Sequence, residues 1–200
     1  VERLQAVEAL ACSADMGDPT LDALVRIAAY TFGVPAAIIG LMKADHQVFV
    51  ARVGVDVSEM ARQESLCHTV VAAPQAPLVI EDLSADPRWA THPLVQGEPR
   101  LRMYAGAALR NADGLVVGTL ALLDTQAAAP WTAAQHRTLQ DLAVVASRTL
   151  QDGQHLRELA RQAQVDSLTG LRQAAWFQDI LEAELAHAMR TGEPFTGTRT

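Results

Sequence analysis

The side chains best placed to do chemistry in this chain are Cys67 and His68, adjacent in "SLCHTVV". A thiol near a helix start can have a lowered pKa, because the backbone dipole favours thiolate there, and such a thiol suits redox chemistry. A second cluster follows in "EDLSADPRWATHP", which gathers Glu81, Asp82, Asp86, Arg88, Trp89 and His92 in one loop. That mixture of charged and aromatic groups is what orients a small molecule in a pocket. Tyr104 lies on the strand expected next, and alternation alone does not decide whether it faces a pocket or the core. Each feature also has a purely structural reading. Cys67 can be a small buried hydrophobe beside a partly exposed His68, while Asp86 caps a turn, Arg88 pairs with a carboxylate and Trp89 plugs the core. The remaining histidines (His46, His92, His136, His155 and His187) share no face and form no HxxxH, so no metal site is expected. One histidine would suffice for haem, and the sequence names no cofactor.

The elements that must position these residues are bounded by composition. The chain has 200 residues, enough for one domain with a real core and an appendage. Half of it is hydrophobic, but no apolar run approaches the roughly 18 residues of a membrane helix, and no charged, apolar, small-residue leader opens it. A net charge of −7 without a basic patch argues against nucleic acid as a partner. Cys12 and Cys67 stand far apart and form no CxxC, which speaks against a disulfide or zinc framework. The expectation is a soluble, cytoplasmic protein with neither nucleic acid nor membrane as a partner.

Along the chain, "GDPTLDALVRIAAYTFG" predicts a helix capped by Asp18, with Pro19 at its first position and Gly33 as its stop. "PAAIIGLMKADHQVFVARVG" predicts a β-hairpin, and "SLCHTVVAA" a short helix with Ser65 as cap. "APLVIEDL" reads as a short strand and "SADPRWATHPLV" as a Pro-punctuated loop with one helical turn. "LRMYAGAALRNADGLVVGTLALLD" is a hairpin around an "NADG" turn. In the following helix Thr132 and Gln135 have capping-box spacing, and Leu139, Leu142, Val145, Ala146 and Leu150 recur at helical spacing. Helix, antiparallel strands with a cross-connection, then helix is an α+β order whose terminal helices must share one face of a sheet.

In this order and spacing, "GVPAAIIGLM", "QVFVARVGV", "SLCHTVV", "PLVIEDLSADPRWATHPLV", "LRMYAGAAL" and "DGLVVGTLALLD" resemble a bacterial GAF sensor domain over residues 18–150. The resemblance implies a PAS-like α+β fold: a central antiparallel sheet, terminal helices on one face and a ligand-pocket side opposite. It makes Cys67, His68, Asp82, Asp86, Arg88, Trp89 and Tyr104 the candidate ligand-binding residues, with no catalytic set and no metal. Residues 1–17 then form a preceding helix and 151–165 a helical linker. From residue 166, "DSLTGLRQAAWFQDILEAELAHAMRTGEPF" resembles the opening of a GGDEF domain, the catalytic domain of diguanylate cyclases. Asp166, Leu168, Thr169, Gly170, Leu171, Phe177, Gly192, Pro194 and Phe195 fit that pattern, whereas Gln173 and Ala174 stand where the family usually has Asn-Arg. The Gly-Gly-Asp/Glu-Glu-Phe signature does not occur, so residues 166–200 read as a truncated start of that domain, without cyclase activity of their own.

The resemblance therefore implies a regulatory module that senses an unidentified small molecule, or dimerises, and controls cyclic di-GMP output. Two alternatives belong to the same fold. One is a thiol enzyme of the methionine sulfoxide reductase kind working through Cys67, which would need a resolving thiol. The other is a chromophore-binding photoreceptor, since bilin-carrying GAF domains also show Cys-His, although here the pair comes earlier in the domain. The signature of cyclic-nucleotide GAF domains, Asn-Lys-x-Phe-x-x-x-Asp-Glu, is absent. Counting heptads from Leu139 gives Leu139, Leu142, Ala146, Thr149, Gly153, Leu156, Ala160 and Ala163, a thin seam through which two copies would pair as a parallel homodimer, together with the first helix.

Overall fold

The computed structural model describes residues 2–13, 17–160 and 162, with side chains omitted at 12 and 13. The GGDEF-like stretch from Asp166 to Phe195 lies outside the described residues. The chain divides into two units, Val1–His155 and Leu156–Thr200; of the second, residues 156–160 and 162 are described, and they are helical.

In the first unit the chain order is α1 (Glu2–Ser13), α2 (Pro19–Phe32), β1 (Ala36–Met42), β2 (His46–Val53), β3 (Glu59–Ala61), α3 (Cys67–Ala72), β4 (Leu78–Ile80), α4 (Pro93–Gln96), β5 (Met103–Arg110) and β6 (Val116–Asp124). A last helix, α5, covers 133–155. The six strands make one antiparallel sheet in the order β3-β2-β1-β6-β5-β4. The two predicted hairpins thus meet at the centre, where β1 pairs with β6 along Ala36–Leu41.

Local chemistry sets the helix ends. The Asp18 carboxylate accepts from the N–H groups of Thr20 (2.8 Å) and Leu21 (3.2 Å), and Pro19 follows it at the first helical position. Gly33 ends α2 in the left-handed region (φ 66°), its N–H returning to Ala29 and Tyr30. At the start of α5, Thr132 and Gln135 exchange reciprocal bonds: Gln135 N–H donates to Thr132 Oγ1 (3.3 Å) and Thr132 N–H to Gln135 Oε1 (2.9 Å).

Strand alternation splits the interior into two cores. Toward the helices point Ala37, Ile39 and Leu41 of β1, Met103, Ala105 and Leu109 of β5, and Leu120 and Leu122 of β6; they meet Leu21, Val25 and Ala28 of α2 and Leu139, Ala143, Ala146 and Leu150 of α5. α1, expected as a separate leading helix, buries Val7 and Leu10 in this same core, and its Arg3 donates to the Met42 carbonyl (2.9 Å). Opposite lie Ile38, Met42, Phe49, Tyr104 and Ala121, covered by α3 and by the 83–101 segment through Leu66, Val70, Leu83, Trp89, Val95 and Leu101.

One predicted position differs. Val145, expected on the inner stripe of α5, is 48% exposed, because each helical residue turns about 100° and Ala146 occupies the inward direction. The heptad seam read from Leu139 is also used differently: Leu139, Leu142 and Ala146 pack on the chain's own sheet.

Candidate ligand site

The face opposite the long helices is built around a buried polar thread. Gln47 sits on β2 and Thr119 on β6, both wholly buried, and Gln47 Nε2 approaches Thr119 Oγ1 at 3.4 Å. The Gln47 amide has room there because β1 carries Gly40 between the two; a Cβ at that position would collide with it. Ser65 Oγ donates to Gln47 Oε1 (2.5 Å) and accepts from the Cys67 N–H (3.1 Å). Ser65, predicted to cap α3, stands one residue before the N-cap, Leu66, which makes no side-chain cap bond; its hydroxyl instead ties the first N–H of the six-residue helix to the sheet.

Cys67 opens α3 at 3% exposure. Its neighbour across the core is Tyr104, on the pocket face of β5 and 0% exposed. The Tyr104 hydroxyl has no hydrogen-bond partner of ordinary geometry. Burial, reinforced by the adjacent Cys67, holds its pKa well above the usual phenol range. The two side chains, with Gln47, Ser65, Phe49 and Leu101, line a cavity of about 50 Å³.

A second group surrounds Trp89. Its ring lies edge-on between His68 (centroids 6.3 Å apart) and His92 (5.8 Å), and its buried Nε1–H has no partner. His68 Nδ1 donates to the Ser65 carbonyl (2.6 Å). His92 Nδ1 accepts from the Leu94 N–H (3.3 Å) at the start of α4, so it must be unprotonated. Burial holds the His92 pKa below its ordinary value; Glu64 opposes that shift and His68 adds to it.

Of the residues expected to bind a ligand, Cys67, His68, Trp89 and Tyr104 thus come together on this face. Asp82, Asp86 and Arg88 serve their own loop. Asp82 accepts from Ser84 through N–H (2.9 Å) and Oγ (2.6 Å), while Arg88 forms a forked pair with Asp86 (2.6 and 3.0 Å). These bonds, from Ser84 and Arg88 respectively, keep both carboxyl groups below the ordinary carboxylate range. Trp89 plugs the core, as its structural reading required. Gln47 and Thr119 were not singled out by sequence. The one available signal was a glutamine within an apolar strand, with a glycine in the strand before it.

A larger groove of about 300 Å³ lies elsewhere, where α5 meets the end of β5 and the Pro74–Pro77 turn. Arg110 crosses it, donating to the carbonyls of Pro74 (2.8 Å) and Gly114 (3.0 Å). Among the described residues no group of three or more His, Cys, Asp or Glu could hold a metal ion, and no helix is long and apolar enough to cross a membrane.

No family model matches the chain. A curated relative, a cyclic di-GMP phosphodiesterase of Pseudomonas aeruginosa, is 32% identical over 124 residues, which is 62% of this chain and 21% of that protein. The chain therefore spans about a fifth of that relative's length. Among solved structures it resembles the GAF domain of an Acinetobacter phosphoenolpyruvate-protein phosphotransferase (TM-score 0.57, 16% identity, covering 78% of this chain and 96% of that one). The fold is that of a GAF domain. The free methionine-R-sulfoxide reductase of Neisseria meningitidis, solved with its substrate, shares this GAF fold at TM-score 0.56 and 17% identity, covering 74% of this chain and 87% of that one.

Proposed function

We propose that this chain is the regulatory part of a cyclic di-GMP signalling protein: a GAF module with a small-molecule site on the Tyr104 face of its sheet, pairing with a second copy, and setting the activity of a GGDEF-type domain that begins at Asp166. The observation that carries the reading is the 32% identity to a cyclic di-GMP phosphodiesterase over 124 residues, on a chain whose residues from Asp166 resemble a GGDEF opening. Pairing has its own support. α2 exposes Ile27 and Tyr30 (91%), and α5 exposes Val144 and Val145, an apolar excess on the helical layer that a two-fold partner would cover.

The thiol-enzyme and photoreceptor readings have less support. Cys67 is buried, and its cavity of about 50 Å³ falls far below the roughly 300–1,000 Å³ of ordinary small-molecule pockets, so neither a free amino acid sulfoxide nor a bilin has room beside the thiol.

The test is a chimera in which this chain replaces the matching segment of the Pseudomonas phosphodiesterase. Tyr104→Phe or Tyr30→Glu in the chimera should change its cyclic di-GMP hydrolysis severalfold, while the isolated chain neither makes nor hydrolyses cyclic di-GMP. Turnover by the isolated chain, or a chimera indifferent to both substitutions, would refute the regulatory reading.

A further inference from the structure

We infer that the cavity beneath Tyr104 takes a small uncharged molecule, of about four non-hydrogen atoms or fewer, that presents a hydrogen-bond acceptor to the Tyr104 hydroxyl. The inference rests on the sensory reading above and narrows its ligand. Size is the first constraint. The cavity measures about 50 Å³, whereas one of about 150 Å³ accommodates benzene and a single water needs about 10–15 Å³.

Charge is the second. None of the described residues lining the cavity is Asp, Glu, Lys, Arg or His. An ion entering it would lose its hydration and meet no counter-charge, the arrangement that costs most in an apolar interior. A cyclic nucleotide or a zwitterionic amino acid therefore does not suit this site.

The acceptor follows from what the polar groups already do. Ser65 spends its proton on Gln47, and Gln47 directs its amide at Thr119. Tyr104 is different: wholly buried on the cavity wall, its hydroxyl makes no hydrogen bond of ordinary geometry and has the weakly accepting Cys67 sulfur beside it. A buried donor left unpaired carries a desolvation penalty that an incoming acceptor relieves. The rest of the wall is apolar, with Phe49, Leu101 and Leu123 offering surface for a hydrocarbon portion. Entry would pass Val55, Met60 and Leu94, which are only partly buried.

The experiment is an amide NMR titration of the intact chain with acetone and, separately, acetate. Both have four non-hydrogen atoms, but only acetate is charged. Acetone should produce saturable shifts at Gln47, Ser65 and Cys67, and acetate none. Tyr104→Phe, which removes a hydroxyl that makes no hydrogen bond of ordinary geometry and so keeps the fold, should weaken acetone binding by about 3- to 10-fold. Acetate saturating the same amides, or Tyr104→Phe binding acetone as tightly as the unsubstituted chain, overturns the inference and leaves the sensory reading standing. No saturable shift with acetone likewise overturns the inference, whereas the sensory reading falls only if the chimera is indifferent to its substitutions.

Discussion

The two faces of the sheet are buried to similar depth by different means. The helical face is an apolar core of leucine, valine and alanine from three long helices. Its buried polar side chain, Ser147, is bonded on both sides, donating to the Ala143 carbonyl (2.7 Å) and accepting from the Arg110 N–H (3.1 Å). The opposite face is closed by a six-residue helix and a loop. Its interior holds Gln47, Ser65 and Thr119 in a thread and leaves the hydroxyl of Tyr104 and the indole N–H of Trp89 without a hydrogen bond of ordinary geometry. A face meant only to be stable would not keep unpaired donors, since each costs more than an apolar group of the same shape. The helical face satisfies its buried polar group internally, and the opposite face holds the unsatisfied donors on which the proposed ligand site rests.

That contrast can be broken experimentally. The largest effect should come from the helical face: Leu139→Ala, at a wholly buried position, should lower unfolding free energy by about 2–5 kcal/mol in chemical denaturation. Should the loss fall below that of the pocket-face variants, the helical core is not the main source of stability. Gly40→Ala comes next. It pushes a methyl into the Gln47 amide, and loss of the thread should cost about 1–3 kcal/mol, with α3 amides losing hydrogen-exchange protection first.

A smaller effect is expected from pH. The His92 pKa is lowered in the folded chain, so between that value and its unfolded value of about 6.5 the unfolded chain binds the extra proton. Stability should then fall as pH drops below about 6.5, and His92→Asn, which keeps a capping acceptor for the Leu94 N–H, should flatten that part of the profile. The smallest effect should be Tyr104→Phe in the unliganded chain. Its hydroxyl makes no hydrogen bond of ordinary geometry, so unfolding free energy should stay within about 0.5 kcal/mol or rise, and a larger loss would mean that the hydroxyl is engaged with Cys67.

Much of the fold was legible because its signals are local. Asp18, Pro19 and Gly33 delimit α2, Thr132 and Gln135 start α5, and the "NADG" turn joins β5 to β6, each through bonds spanning a few residues. The site was legible in part. Cys67, His68, Trp89 and Tyr104 were chosen for their chemistry, and the fold does gather them. Asp82, Asp86 and Arg88 drew attention for the same reason, but charged groups two residues apart satisfy one another first, and they close turns.

By itself the sequence determined the element order, the helix caps and the alternation that makes each strand two-faced, because these depend on near neighbours and on backbone geometry. The tertiary structure decided which face Tyr104 takes, that α1 joins the core, that Val145 turns outward, and that Gln47 reaches Ser65 and Thr119 across 18 and 72 residues of chain. Those outcomes depend on register between strands distant in sequence, where a one-residue slip would send every side chain to the other face.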